Sequence, residues 1–324
     1  MATSTRDRIR QIVPLVGTVL LLGYLGFTTD FAKLRDNLSQ ANLGQYAIVL
    51  CVGTIVAWLY DTACVTWLVA QTLGAHGKPL KLRELLPVKA ASYAINAISY
   101  PLATLAISWA VARRKKVPFL QATGALAVLA YLDVLALGGM VAAGLLISPE
   151  VIASQAGLQR PVQIATLLIL GGGVAGIAVV QSKWSWPMLQ RLQRIQLLQP
   201  IVHIAPRKLL LGFVLRTGLL LIYAATNFMI MRCFGMQPQW GRLLVVMPFL
   251  TVLGAIPLSV SGLGTTQIPM RAFYAPFVTD GRPVAPVIDA FSSAMLLGFG
   301  AVRLVLAAPF LRGILAELRE KKAE

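Results

Sequence analysis

Acidic side chains are scarce in this chain: twelve, against twenty-nine lysines and arginines in 324 residues. Charged residues of either sign amount to only 13%, whereas a water-soluble domain carries about 25%. That shortage excludes a large solvated exterior. Cysteine is nearly absent, and Cys51, Cys64 and Cys233 all fall in or at the end of apolar runs. With no CxxC and no Cys/His spacing, neither a disulfide framework nor a zinc site is expected. The two histidines, His76 and His203, sit in separate polar intervals and make no pair. No HExxH, nucleophile-elbow or completed GxGxxG pattern occurs, so no cofactor and no enzymatic constellation is expected.

What is present is apolar. Hydrophobic residues make up 57% of the chain, in repeated runs of about twenty residues, the length needed to cross a bilayer as a helix. The class is therefore an all-α polytopic membrane protein. The formal net charge of +17 lies in short intervals between the runs. That is the distribution of cytoplasmic loops, which also favour anionic lipid; nucleic acid is excluded as a partner.

Charge placement gives a topology. Three arginines precede the first apolar run, 12–27, and no small-residue cleavage site follows it, so an uncleaved helix with a cytoplasmic N-terminus is expected. Full spans are then expected near 46–73, 118–147, 161–181, 209–234 and 286–310, six in all, with both termini cytoplasmic in a bacterial inner membrane. The segment 90–112, broken at Asn96, Ser99 and Pro101, has basic clusters on both sides: Lys78, Lys81, Arg83 and Lys89 in the interval 74–89, expected to be a cytoplasmic loop, and Arg113-Arg114-Lys115-Lys116. A hairpin that enters and leaves on the cytoplasmic side satisfies both clusters, turning where proline disfavours helix. The segment 245–273 is flanked by charge-balanced loops and is expected to be re-entrant from the opposite side. Residues 182–208 combine Met188, Leu189, Leu192, Ile195 and Leu198 at helical spacing with Arg191 and Arg194, as an amphipathic helix on the cytoplasmic surface would. Gly172 and Gly176 form a small-xxx-small pair expected to pack helices.

The densest polar feature inside an apolar region is IPLSVSGLGTTQIPMRAFY, 256–274. Pro257, Gly262, Gly264 and Pro269 break the helix there, among Ser259, Ser261, Thr265, Thr266 and Tyr274. Broken backbone at membrane depth is tolerated only where protein buries it or where it lines a cavity. The hydroxyls and Gln267 can donate to a lipid headgroup, or re-satisfy backbone groups freed by the breaks. Arg271, beside the motif, has a guanidinium suited to phosphate.

The two halves share an order: a span, a glycine turn (Gly74 or Gly235), an arginine and a proline (Arg83 and Pro87, or Arg242 and Pro248), a broken segment, and a long span with one charge (Asp133 or Arg303). Opposed orientations would make these inverted repeats, as in secondary transporters. The division is then 1–44 (first helix and connection), 45–147 (repeat 1), 148–208 (linking span and amphipathic helix), 209–311 (repeat 2) and 312–324 (tail).

FGMQPQWGRLLVVMPFLTVLGAIPLSVSGLG, together with LGAHGKPLKLRELLPVKAASYAINAISYPL and WAVARRKKVPFLQATGALAVLAYLD, resembles the flippase-like transmembrane region of lysylphosphatidylglycerol synthases over nearly the whole chain. The resemblance implies a flippase-like, lipid-transporting role. It does not imply lipid aminoacylation, since no aminoacyl-transferring domain accompanies the match. The backbone-breaking residues match and several charges do not: Ala103, Leu105 and Ala106 stand where the family has Arg, Gly and Glu, and Leu129 and Ala130 replace an acidic-basic pair ahead of the retained Asp133. Thr266 and Gln267 replace an Arg-Glu pair.

Asp61, Asp133, Arg216, Asp289 and Arg303 lie in or near spans, where each charge costs about 2.5–3.5 kcal/mol on insertion scales and needs a partner or water. Asp133 with Arg303 is the preferred pair. The function expected is movement of a polar lipid headgroup, with anionic phospholipid or another polar lipid as partner. The alternative is a non-transporting subunit that scaffolds a lipid- or glycolipid-modifying enzyme; a homo-oligomer is compatible with either.

Overall fold

The computed structural model describes residues 31–74, 79–96, 100–149, 159–182, 184, 186–255 and 267–320. Every regular element among them is helical. The helices are α1 Phe31–Gln40, α2 Leu43–Leu73, α3 Leu82–Asn96, α4 Tyr100–Lys115, α5 Phe119–Ile147, α6 Gln159–Gln181, α7 Pro187–Gln193, α8 Gln199–His203, α9 Pro206–Cys233, α10 Trp240–Ala255, α11 Gln267–Tyr274 and α12 Val284–Glu320.

Five of them, α2, α5, α6, α9 and the Val284–Phe310 part of α12, are long and apolar enough to cross a membrane. These are the five expected spans after the first; the run 12–27 lies outside the described residues. Their outer faces carry Ile48 and Val52, Leu167 and Leu168, Leu210 and Val214, and Leu297 and Val305, all exposed. A chain that is apolar both inside and out is built for lipid.

α2 and α9 run antiparallel in close contact. Gly53 faces Thr226, Gly218 faces Tyr60, and Gly212 faces Trp67. Each is followed by a turn on a glycine with positive φ, Gly74 at 54° and Gly235 at 73°, a conformation that costs glycine nothing. A pair of shorter helices follows each turn. At 15 and 16 residues, α3 and α4 reach about 22–24 Å, short of the roughly 30 Å hydrocarbon core.

Both pairs are closed at the base. Lys115 Nζ donates to the Gly74 carbonyl at 3.1 Å, and the Arg114 guanidinium donates to the Glu84 carbonyl. In the second half, Arg282 Nη2 donates to the Phe234 carbonyl at 2.8 Å, and the Gln237 N–H donates to the Phe277 carbonyl at 2.7 Å. Burial pushes the Lys115 ammonium below the ordinary lysine range. At the other base, burial opposes ionisation of Asp280, but hydrogen bonds from the Arg282 N–H and guanidinium, with the guanidinium charge, together outweigh it and lower the carboxyl pKa. Packing between halves is reciprocal: α3 lies on α12, and α10 lies on α5.

Two expectations are corrected. Residues 182–208 do not form one amphipathic helix. α7 ends at Gln193, and a separate helix starts at Gln199 with Pro200 in its first turn, where the missing proline N–H needs no intrahelical partner. Glutamines hold the two short helices to the end of α6 instead: Gln181 Nε2 donates to the Ile201 and Ile204 carbonyls, and Gln193 Nε2 to that of Val180. Among the described residues, Gly172 and Gly176 pack against nothing; Gly173 is the one of the three that meets a neighbour, α5, where it faces Leu135 and its carbonyl accepts from the Tyr131 hydroxyl.

The α5–α10 contact offers a test of this packing. A methyl group built on Gly144 would lie 2.7 Å from the Gly241 carbonyl oxygen. Gly144→Leu is expected to cost about 1–3 kcal/mol through overpacking, read as a lowered thermal midpoint of the purified protein in detergent.

Candidate polar centre

Four charges from four helices meet inside the bundle. Arg216 on α9 turns its fork to Asp133 on α5, with Nε on Oδ1 and Nη2 on Oδ2, the latter at 2.8 Å. Its remaining Nη1 donates to Asp61 Oδ1 on α2 at 2.6 Å. Lys89 Nζ on α3 lies 2.7 Å from the other oxygen of Asp61. Two carboxylates and two cations make the group neutral. Asp61 and Arg216 side chains are each 8% exposed, Lys89 12% and Asp133 22%. The space beside Arg216, between Trp67, Leu129, Leu132 and Gly212, is too small for a water molecule.

The expected Asp133–Arg303 pair is not formed. Asp133 faces the guanidinium fork of α9, while Arg303 lies on α12 and meets α3. There its cation stands over the rings of Tyr93 and Phe299, at 5.4 and 5.5 Å from their centroids. Aromatic faces attract a guanidinium electrostatically, and no carboxylate partners Arg303 among the described residues. Lys89 was expected in a cytoplasmic loop and instead completes the buried group. Its position one residue past Val88, inside the apolar stretch of α3, is the signal that charge counting overlooks.

A second pair ties α11 to α12. Arg271 Nε and Nη2 grip Asp289 at 2.6 and 2.7 Å, a bidentate fork. Gln267, Arg271 and Tyr274, at i, i+4 and i+7, share one face of α11. Gln267 is buried with its Oε1 unpartnered among the described residues, an unusual cost for a buried acceptor.

The remaining expected path residues divide. Asn96 ends α3, and Pro101 falls in the first turn of α4. Ser99, Pro257, Ser259, Ser261, Gly262, Gly264, Thr265 and Thr266 lie outside the described residues. Among the described residues, no cluster of His, Cys, Asp or Glu could hold a metal ion.

A bundle of lipid-facing helices, two short helix pairs closed at their bases and a neutral charged centre define a polytopic α-helical membrane protein. Residues 12–301 match the lysylphosphatidylglycerol synthase TM region, and the chain belongs to that family. Membership connects it with membrane lipids. No curated protein and no solved structure matches it.

The quartet makes a quantitative expectation. Asp61→Asn leaves Lys89 and Arg216 with one countercharge between them, and breaking a buried pair on one side costs about 3–5 kcal/mol. Thermal unfolding in detergent should show that loss. Adding Lys89→Gln, which restores neutrality, should recover a large part of it.

Proposed function

We propose that the chain is a flippase-like transporter that moves a polar lipid headgroup across the bacterial inner membrane, with both termini cytoplasmic. The observation that carries this reading is the relation between the halves. The corresponding helices α2 and α9 are antiparallel, and packing between halves is exchanged, α3 on α12 and α10 on α5. An inverted repeat has both properties, and inverted repeats with broken helices build substrate sites at the midplane. In this reading α3–α4 and α10–α11 are re-entrant hairpins from opposite sides. Asn96, Ser99 and Pro101 on one and the 257–267 motif with Arg271 on the other face the headgroup path. The substrate is a polar lipid, with anionic phospholipid the first choice.

The second reading is a non-transporting subunit that scaffolds a lipid- or glycolipid-modifying enzyme. The closed space beside Arg216 and the internal pairing of all four central charges favour it. Either role accommodates a homo-oligomer.

Proteoliposome assays separate the two. Fluorescent anionic phospholipid should exchange between leaflets with wild type, and at least about tenfold more slowly with Gln267→Leu or Arg271→Ala, the effect of losing roughly 1.4 kcal/mol of interaction. Unchanged exchange in both variants rejects the headgroup path, and no exchange by wild type supports the scaffold. Topology has its own check: Lys81→Cys and Lys116→Cys should react with an impermeant thiol reagent from the same side of the membrane. Reaction from opposite sides rejects the first hairpin.

A further inference from the structure

The basic run Arg113-Arg114-Lys115-Lys116 looks like one feature in the sequence, but its members have different employments. Lys115 is buried and spends its ammonium on the Gly74 carbonyl. Arg114 is half-buried and held by the Glu84 carbonyl. Arg113 is exposed, and among the described residues its one contact is with the Trp109 ring, over which its guanidinium stands at 5.5 Å. Trp109, Ala110, Arg113 and Arg114 line an open cavity of about 300 Å³. Two guanidinium groups and an indole form its wall, with no carboxylate in it among the described residues.

The same face of α4 continues downward as hydrocarbon. Leu102, Leu105, Trp109 and Arg113 are spaced by three, four and four residues, which places them on one stripe. Leu102 and Leu105 are 53% and 43% exposed. From Leu102 to Arg113 the helix rises about 16 Å, close to half of the roughly 30 Å hydrocarbon core. The stripe is thus one leaflet long, with leucine at its inner end, an interfacial tryptophan near the top, and arginine at headgroup level.

We infer that this stripe binds an anionic phospholipid from the leaflet that faces the basic loops. Its phosphodiester sits in the cavity against Arg113 and Arg114, and an acyl chain lies along Leu105 and Leu102. Guanidinium matches phosphate by paired donors, and stacking on Trp109 holds the Arg113 plane ready. The site lies on the outer face of the first hairpin, and the inference does not depend on transport through the interior.

The test uses the full chain in mixed micelles of phosphatidylcholine and phosphatidylglycerol, with bound lipids counted by native mass spectrometry. Arg113→Gln and Trp109→Leu should each retain at least threefold less phosphatidylglycerol than wild type, with phosphatidylcholine unchanged. Arg113→Lys, which keeps the charge without the planar fork, should fall between. Inorganic phosphate at 20-fold excess over the lipid should leave phosphatidylglycerol bound, because the acyl chain contributes to the site. Equal retention by wild type and Arg113→Gln overturns the inference. Complete displacement by inorganic phosphate overturns the lipid assignment and leaves a phosphate site. A monodisperse elution profile and unchanged leaflet exchange in Arg113→Gln separate this site from folding and from the headgroup path.

Discussion

The structure depends most on the fork of Arg216. A guanidinium offers donors on two edges in one plane, so one side chain can hold a carboxylate on α5 and another on α2 at once. An ammonium could not span both with the same fixed geometry. Lys89 then supplies the second positive charge, and the group closes at zero net charge where solvent is absent. Any single member left without its counterpart would be an uncompensated charge at low dielectric. The placement of α3 against the long helices is therefore set electrostatically, since Lys89 is its contribution.

Around this centre, each half solves the same problem at its hairpin base. A long helix that ends in a tight glycine turn leaves carbonyls without intrahelical partners. Lys115 satisfies the one at Gly74 and Arg282 the one at Phe234. Residues of different type, at different distances along the chain, perform one task. Arg271 and Asp289 add a bidentate tie between α11 and α12, so the element that follows the polar motif is anchored although the motif itself is rich in helix breakers.

Much of the fold was legible in the sequence. Hydropathy located the five long helices that the structure describes, and the turns at Gly74 and Gly235 followed from glycine. The failures share a cause. Hydropathy and charge counts report depth along the membrane normal and say little about the direction in which a side chain points around its helix. Asp133 and Arg303 occupy corresponding spans, yet α5 turns toward α9 while Arg303 finds Tyr93. Gly172 and Gly176 have packing spacing and face no neighbour among the described residues, whereas Gly173 faces α5. Lys89 was counted with a loop because it follows three other basic residues. The strap between α6 and α9 was read by period alone, which cannot register a helix that ends at Gln193 and restarts at Gln199, held by glutamine side chains.

Composition and periodicity by themselves determined that this is a polytopic helical membrane protein, because the bilayer penalises every unpaired charge and open backbone group in the same way wherever it occurs. Which charges would pair, and which arginine of a basic run would be left facing outward, only the tertiary structure decided. Those outcomes turn on the rotation and proximity of helices far apart in the chain, and a sequence of apolar runs carries almost no record of either.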